Sequence, residues 1–176
     1  MKSIIEISAD TSDLKDHFDL LSCYLVSATS LHALACDGLA GRSGGVGSVT
    51  PEFWNKHFVT AFYLLRHSLE LAVKALIKET CGTDTHGHDI KALWESVPDH
   101  QNIIRDQISR AFTVLAKYNV LKDAQLFRYH ADKGGVKLKS MPSLTNDDFD
   151  AISTASWAVR QLVLERIHIK KGLPVP

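Results

Sequence analysis

Apolar residues recur every three or four positions in four long stretches of the chain, which is the spacing of one face of an α-helix. The first stretch runs from Ser12 or Asp13 to Ala35. The second begins at Thr50-Pro51-Glu52 and stops before Gly82. A hydroxyl cap, a proline and an acid in this order favour a helix start. The third covers about Asp99–Tyr118, and the fourth begins at Thr145 and ends near Gly172. The pattern predicts four long helices.

Two shorter elements complete the predicted fold. Asp89 can cap a short helix over Ile90–Ser96, because its carboxylate can accept a backbone N–H of the first turn. Residues with a strand preference around Leu126–Tyr129 and Val136–Leu138 flank a glycine pair, which predicts a small hairpin or an extended flap before the last helix. Helical faces of this kind bury each other in a bundle, so we predict an all-α, up-and-down-like bundle of four long helices and one short helix.

The segment Asp37–Thr50 contains five of the ten glycines in the chain. Such a density is typical of a loop. A phosphate-binding loop is disfavoured, because GxxxxGK[ST] is not satisfied and no lysine follows Gly47. We therefore predict a functional or mobile connection over residues 37–50, within a single domain that covers residues 1–176 and ends in a frayed tail over residues 172–176.

Composition and charge narrow the class of protein. The 176 residues are 45% apolar and 23% charged, which suits one soluble globular domain. Twenty basic and twenty acidic residues give a net charge of zero, so a nucleic-acid site would have to be a local feature. Charged residues interrupt the apolar stretches before the ~20 residues that span a bilayer, and no secretory segment follows Met1. We expect a cytoplasmic protein without membrane association.

The three cysteines, Cys23, Cys36 and Cys81, share no CxxC spacing. In a reducing compartment we expect them to be small apolar residues of the core or of helix ends, without redox chemistry or structural zinc. The sequence predicts no cofactor.

Three motifs resemble those of a known family. The runs FYLLRHSLELAVKALIKE, GHDIKALW and FRYHADKGG, within roughly Ala61–Gly135, are similar to the RHSLEL helix, the GHDL turn and the FRYP-D-G segment of a bacterial branch of the HEPN superfamily. The resemblance implies a helical bundle that commonly dimerises. It also implies a metal-independent ribonuclease, or a noncatalytic partner or nucleotide binder, in toxin–antitoxin, phage-defence or RNA-processing systems.

We accordingly expect a homodimer whose ligand is RNA, a nucleotide or a partner protein. Apolar Phe62, Leu64 and Val73 lie outside the core line of the second helix, which also favours a dimer.

The arginine and histidine spacing of the catalytic HEPN ribonucleases is absent. The resemblance implies an arginine and a histidine separated by four to six residues. Here Arg66 is adjacent to His67, Arg128 has a histidine too close, and Arg160 reaches His168 only after seven intervening residues. Arg66 and His67 remain the candidate catalytic residues. Arg160 and His168 would lie about 80° apart on an ideal helix, which allows a joint role.

Charged and aromatic residues of the three motifs form the candidate ligand-binding site. Arginine is a forked donor for phosphate oxygens, a helix N-terminus supplies N–H groups, an aromatic ring stacks on a base, and histidine exchanges protons near neutral pH. If these groups converge, they could bind phosphate or a nucleotide. The candidates are Arg66, His67 and Glu70 on the second helix, His88 and Asp89 at the GHD turn, and Arg128, Tyr129 and Asp132 on the flap.

A structural role for the same residues is the main alternative. In it, Arg66, Glu70 and Lys74 of the second helix form a solvated, ion-paired stripe opposite the core face. Asp89 is then only a helix cap, and the flap residues fasten the flap to the bundle. A buried polar network of Arg66, Glu70, His88 and Arg128 would serve the same purpose without chemistry.

A metal-dependent alternative follows from the HGHD run. It is similar to the HD phosphohydrolases, in which a histidine, a His-Asp doublet and a distant aspartate hold a divalent metal. The corresponding residues would be His67, His88, Asp89 and either Asp123 or Asp132. Because the doublet follows a polar glycine turn, we predict no metal site, either here or at the HxH pair of His86 and His88.

Overall fold

The computed structural model describes residues 17–41, 50–98, 104–122 and 142–175. Within these ranges the chain forms five α-helices and no strand. The helices are α1 His17–Leu39, α2 Pro51–Cys81, α3 Ile90–Glu95, α4 Arg105–Lys117 and α5 Asn146–Lys170. The prediction of an all-α fold with four long helices and one short helix is confirmed. The predicted hairpin or flap at residues 126–138 lies outside the described residues.

The ends of α2 and α5 follow from local chemistry. Pro51 occupies the first turn of α2, where its missing N–H costs nothing, and Gly82 ends the helix in the left-handed conformation at φ 72°. The N–H of Gly82 donates to the carbonyl oxygen of Lys78 at 2.8 Å. At the start of α5, Thr145 and Asp148 form a reciprocal capping box. The sequence predicts that the hydroxyl of Thr50 caps α2. This prediction is wrong, because the hydroxyl makes no capping hydrogen bond to the backbone.

The C-terminal end of α1 corrects the predicted start of the glycine-rich loop. The helix continues through Asp37 and Gly38 to Leu39. Gly38 lies against the ring of buried Trp54, so closely that a Cβ at this position would be 2.1 Å from the ring. This glycine therefore permits a close approach of α1 and α2, and it is not part of a loop. Residues 42–49 lie outside the described residues.

Helix α2 is the centre of the core. It packs against α1, α3 and α5, and α4 packs against α5. Phe62 and Val73 are fully buried within the protomer, and Leu64 packs on the core. Neighbouring helices of the same chain therefore cover Phe62 and Val73, so these two residues do not support a dimer. The homodimer stays a prediction. The buried residues of the surrounding helices include Leu21, Leu25, Ile108, Leu115, Ile152 and Val159.

Helix α1 is long and apolar enough, over Phe18–Leu39, to cross a membrane by length and composition alone. This finding corrects the expectation that charge interrupts every apolar stretch, because the run between Asp19 and Asp37 has no charged residue. Core helices of globular proteins pass the same test. Here Leu21 and Leu25 on the inner face of α1 are fully buried.

Candidate functional site

A buried ion pair between Arg66 and Glu70 lies at the centre of the candidate site. The two residues are one turn apart on α2, where side chains four positions apart are neighbours. Each side chain is 1% exposed. Nη1 of Arg66 donates to Oε2 of Glu70. Two charges this deeply buried are tolerated only because each has a counter-charge and further hydrogen bonds.

The guanidinium of Arg66 also binds backbone carbonyls of two other segments. Its Nε donates to the carbonyl oxygen of Val120 at 3.1 Å. Its Nη2 lies 2.6 Å from the carbonyl oxygen of His88 and 3.3 Å from that of Leu121. The backbone N–H of Ile90 donates to the same Leu121 oxygen at 3.1 Å. Arg66 therefore joins α2, the turn before α3 and the segment after α4 at one point.

Three further side-chain nitrogen atoms lie close to the carboxylate of Glu70. Lys74 Nζ donates to Oε1 at 2.8 Å, and His88 Nδ1 lies 2.9 Å from the same oxygen. His67 Nδ1 lies 4.0 Å from Oε2. Because an ionised carboxylate only accepts, Nδ1 of His88 carries the proton in its hydrogen bond, which leaves Nε2 as its second ring nitrogen.

The cations around Glu70 determine its ionisation. Burial raises the pKa of the Glu70 carboxyl, but the hydrogen bond from Lys74, the charge of Arg66 and the hydrogen bond with His88 together outweigh it. The pKa therefore lies below its usual value. Glu70 is a carboxylate at neutral pH and does not suit the role of a general acid.

Exposure divides the site into a buried and a surface part. Arg66 and Glu70 are inaccessible, whereas His67 is 26% exposed and the side chain of His88 is 68% exposed. The His67 ring contacts Tyr24 edge-on, with centroids 4.8 Å apart, and lies parallel to Tyr63 at 6.2 Å. We call these four residues, His67, His88, Tyr24 and Tyr63, the imidazole face.

The charges beneath the imidazole face do not cancel. Arg66 and Lys74 are two cations beside the single carboxylate of Glu70, so this group of three has a net charge of +1 before either imidazole is protonated. Protonation of His67 or His88 would add to it. This group of three is therefore positive, although the net charge of the whole chain is zero.

Asp89 acts as a helix cap, as predicted. Its Oδ1 accepts the backbone N–H of Ala92 at 3.1 Å, in the first turn of α3. This bond places the Asp89 carboxylate at the start of α3.

Three of the predicted site residues, Arg128, Tyr129 and Asp132, lie outside the described residues, as does Asp123. The structure therefore brings together Arg66, His67, Glu70 and His88, with Asp89 adjacent in the chain to His88. In the ranges that the structure describes, no three histidine, cysteine, aspartate or glutamate side chains converge to hold a metal ion.

Arg160 and His168 have separate partners. Arg160 Nε donates to Ser22 Oγ at 3.0 Å, and its guanidinium lies over the rings of Phe18 and Trp157. His168 Nδ1 lies 2.5 Å from the carbonyl oxygen of Pro174, in the C-terminal tail. Each side chain thus has its own structural contacts, and the structure does not support a joint role.

A second polar network, around Tyr118 and Asp148, is absent from the sequence predictions. The Tyr118 hydroxyl lies 2.6 Å from Asp148 Oδ2 and 2.9 Å from the carbonyl oxygen of Ser143. Lys117 Nζ donates to the same carboxylate at 2.9 Å. The run Thr145-Asn146-Asp147-Asp148 has the sequence pattern of a helix cap, but nothing in the sequence pairs Asp148 with α4. The network joins the end of α4 to the start of α5.

Comparison with protein-family models, with curated proteins and with solved structures finds no match to this chain. The resemblance to the HEPN superfamily therefore rests on the three sequence motifs.

Proposed function

We propose that this chain is a HEPN-like helical module that binds RNA or a nucleotide through the imidazole face, and that it acts by binding or regulation. The proposal places it in a cytoplasmic defence or toxin–antitoxin system, as a homodimer or with a partner protein. The observation that carries it is the position of two accessible histidines, His67 and His88, over a buried ion cluster with a net positive charge.

The buried and exposed residues have different roles in this proposal. Arg66 donates to three backbone carbonyls and to Glu70, so its role is to hold the site together. His67 and His88 are the groups that contact the ligand. A structural role of Arg66 and a ligand-binding role of His67 and His88 are thus compatible, because different residues of one cluster have them.

The chemistry of the imidazole face suits a phosphate joined to a base. An imidazole donates to a phosphate oxygen and, when protonated, adds a positive charge. Because Nδ1 of His88 carries the proton that binds Glu70, Nε2 donates to a phosphate oxygen when the ring is an imidazolium. The rings of Tyr24 and Tyr63 on either side of His67 supply surfaces on which a base could stack.

Binding is tested by fluorescence anisotropy with a labelled single-stranded RNA and with a labelled adenine nucleotide. A His67→Ala, His88→Ala double variant should weaken binding at least tenfold, because both side-chain contacts to phosphate are lost. The matched control is His86→Ala, an exposed histidine two residues before His88. Binding that is absent in the wild type, or equally strong in the double variant, would contradict the proposal.

The ribonuclease alternative is examined with the same samples. If the wild type cleaves the RNA without Mg²⁺, and cleavage is lost in His67→Ala but kept in His86→Ala, the protein is a ribonuclease and the proposed regulatory function is wrong. Uncut RNA with intact binding is the result that our proposal predicts.

A further inference from the structure

Arg160 of α5 lies over two aromatic rings at the contact between α5 and α1. Its guanidinium carbon is 5.0 Å from the centroid of the Phe18 ring and 5.3 Å from that of the Trp157 ring. Its Nε donates to Ser22 Oγ at 3.0 Å. The two ring contacts and this hydrogen bond together fix the position of the guanidinium. None of these four residues belongs to the imidazole face.

Most of the hydrogen-bonding capacity of Arg160 is unused. Among the residues that the structure describes, Nη1 and Nη2 of this half-buried guanidinium have no acceptor, and no carboxylate forms an ion pair with it. The side chain is therefore a positioned cation with a free fork of N–H donors, which is the arrangement that binds phosphate oxygens. The indole of Trp157 beside it is 43% exposed. An exposed aromatic face of this kind is a surface on which a nucleobase stacks.

Arg160 and His67 lie on opposite flanks of α1. On this helix Arg160 contacts Ser22, and His67 contacts Tyr24. Because these two contacts are two residues apart in a helix of about 3.6 residues per turn, they lie about 160° apart around the helix axis. A helix with its side chains is ~10–12 Å across. The imidazole face and the Arg160 fork are therefore separated by about the width of one helix.

The outer face of α1 between these two flanks is exposed and uncharged. No lysine, arginine, aspartate or glutamate occurs between Asp19 and Asp37. Asp19 would repel a phosphate, so the favourable path across α1 lies on its C-terminal side. The exposed side chains on that path are Cys23, Val26 and Ser27. A nucleic-acid backbone that crosses α1 at this level therefore meets no carboxylate of the helix.

We propose that the ligand of the imidazole face is single-stranded RNA, and that the strand crosses α1 to a second contact at Trp157 and Arg160. This inference rests on the proposed function, in which His67 and His88 bind the first phosphate. Arg160 binds a phosphate further along the strand, and a base stacks on Trp157. A stacked nucleic-acid strand rises ~3.4 Å per nucleotide, so about four nucleotides cover the width of α1. A mononucleotide reaches only one of the two contacts.

The test compares two ligands by fluorescence anisotropy, a labelled single-stranded RNA of about eight nucleotides and a labelled adenine mononucleotide. Trp157→Ala and Arg160→Ala should each weaken RNA binding at least fivefold and leave the affinity for the mononucleotide unchanged. The matched control is Arg110→Ala, an exposed arginine of α4, which should change neither affinity. Thermal melting verifies that each variant is folded. Since the Trp157 side chain is exposed, Trp157→Ala keeps the test decisive if Arg160→Ala fails to fold.

The outcomes separate this inference from the proposed function. If the wild type binds both ligands and RNA affinity is unchanged in folded Trp157→Ala, the second contact is wrong and the imidazole face remains the binding site. If the wild type binds neither ligand, the proposed function is wrong and this inference with it. Loss of RNA affinity in Trp157→Ala, with mononucleotide binding intact, is the result that supports a strand across α1.

Discussion

Arg66 and Glu70 form an ion pair in which both side chains are 1% exposed. Further polar contacts of that pair lead to Lys74 on the same helix, to two other segments of the chain and to the histidines at the surface. This relationship connects the structural role of the cluster with its proposed function. The buried charges fix the turn before α3, and that turn carries His88 of the imidazole face.

Arg66→Ala should destabilise the protein by ~3–5 kcal/mol, because removal of one partner leaves the Glu70 carboxylate buried beside fewer cations and breaks the bonds to Val120 and His88. Urea unfolding followed by circular dichroism measures the change. The control is Lys91→Ala, which removes an exposed ion pair with Glu95 at the same four-residue spacing and should cost less than ~1 kcal/mol. Similar losses in both variants would contradict the assigned role of Arg66.

The stability of the protein should fall in acid because of Glu70. Its pKa is lower in the folded than in the unfolded chain, so the unfolded state binds the proton more readily. The stabilisation is present above the ordinary value of 4.5 and is lost as the pH falls through the lower folded pKa. Asp148, whose pKa is also lowered, contributes in the same direction from its ordinary value of 3.8.

Urea unfolding at a series of pH values from 7 to 2.5 checks this dependence. Glu70→Gln should be less stable than wild type at neutral pH and should lose less stability on acidification. An equal slope in both proteins below pH 4.5 would show that Glu70 is not a source of the acid sensitivity.

Tyr118→Phe should destabilise the protein by ~1–2 kcal/mol, because Asp148 loses a hydrogen bond in a buried setting while the ring volume is kept. Thermal melting measures the shift. Tyr63→Phe is the matched control, since the Tyr63 ring is only partly buried, and it should change the melting temperature less. A larger effect at Tyr63 would argue against the network between α4 and α5.

Gly38→Ala should destabilise the protein by ~1–3 kcal/mol, although alanine is the better helix former, because the added methyl would overlap the ring of Trp54. Replacing Trp54 by a smaller residue tests whether this overlap causes the destabilisation. In the background of Trp54→Leu, the same Gly38→Ala substitution should cost less, a coupling that a double-mutant cycle measures by urea unfolding. Additive effects would mean that the two residues do not interact.

The helices could be predicted from sequence because their signals are local. Periodic apolar residues, Pro51, Gly82 and the Thr145 capping box each act within a few positions of a helix end. The end of α1 could not be predicted in this way. Gly38 resembles a loop residue in the sequence, whereas in the structure it belongs to α1 and lies against Trp54 of α2.

The candidate site was predicted in part for a similar reason. The spacing of Arg66, Glu70 and Lys74 predicts neighbouring charges on one helix, and the structure confirms their pairing. The prediction that this stripe is solvated is wrong, because all three side chains are buried. The carbonyl partners of Arg66 at Val120 and Leu121 are backbone groups, which every residue type has, so no sequence pattern indicates them. The contact of Cys36 with Asn146 could not be predicted either, because it depends on the packing of α1 on α5.

The central claim, that His67 and His88 contact a phosphate-bearing ligand, is tested most directly by NMR of the histidine ring nitrogens during titration with an adenine nucleotide and with a short single-stranded RNA. The account predicts saturable shifts of the His67 and His88 resonances, with His86 unchanged. Resonances of His67 and His88 that stay in place at saturating concentrations of both ligands, or shifts no larger than those of His86, would contradict it.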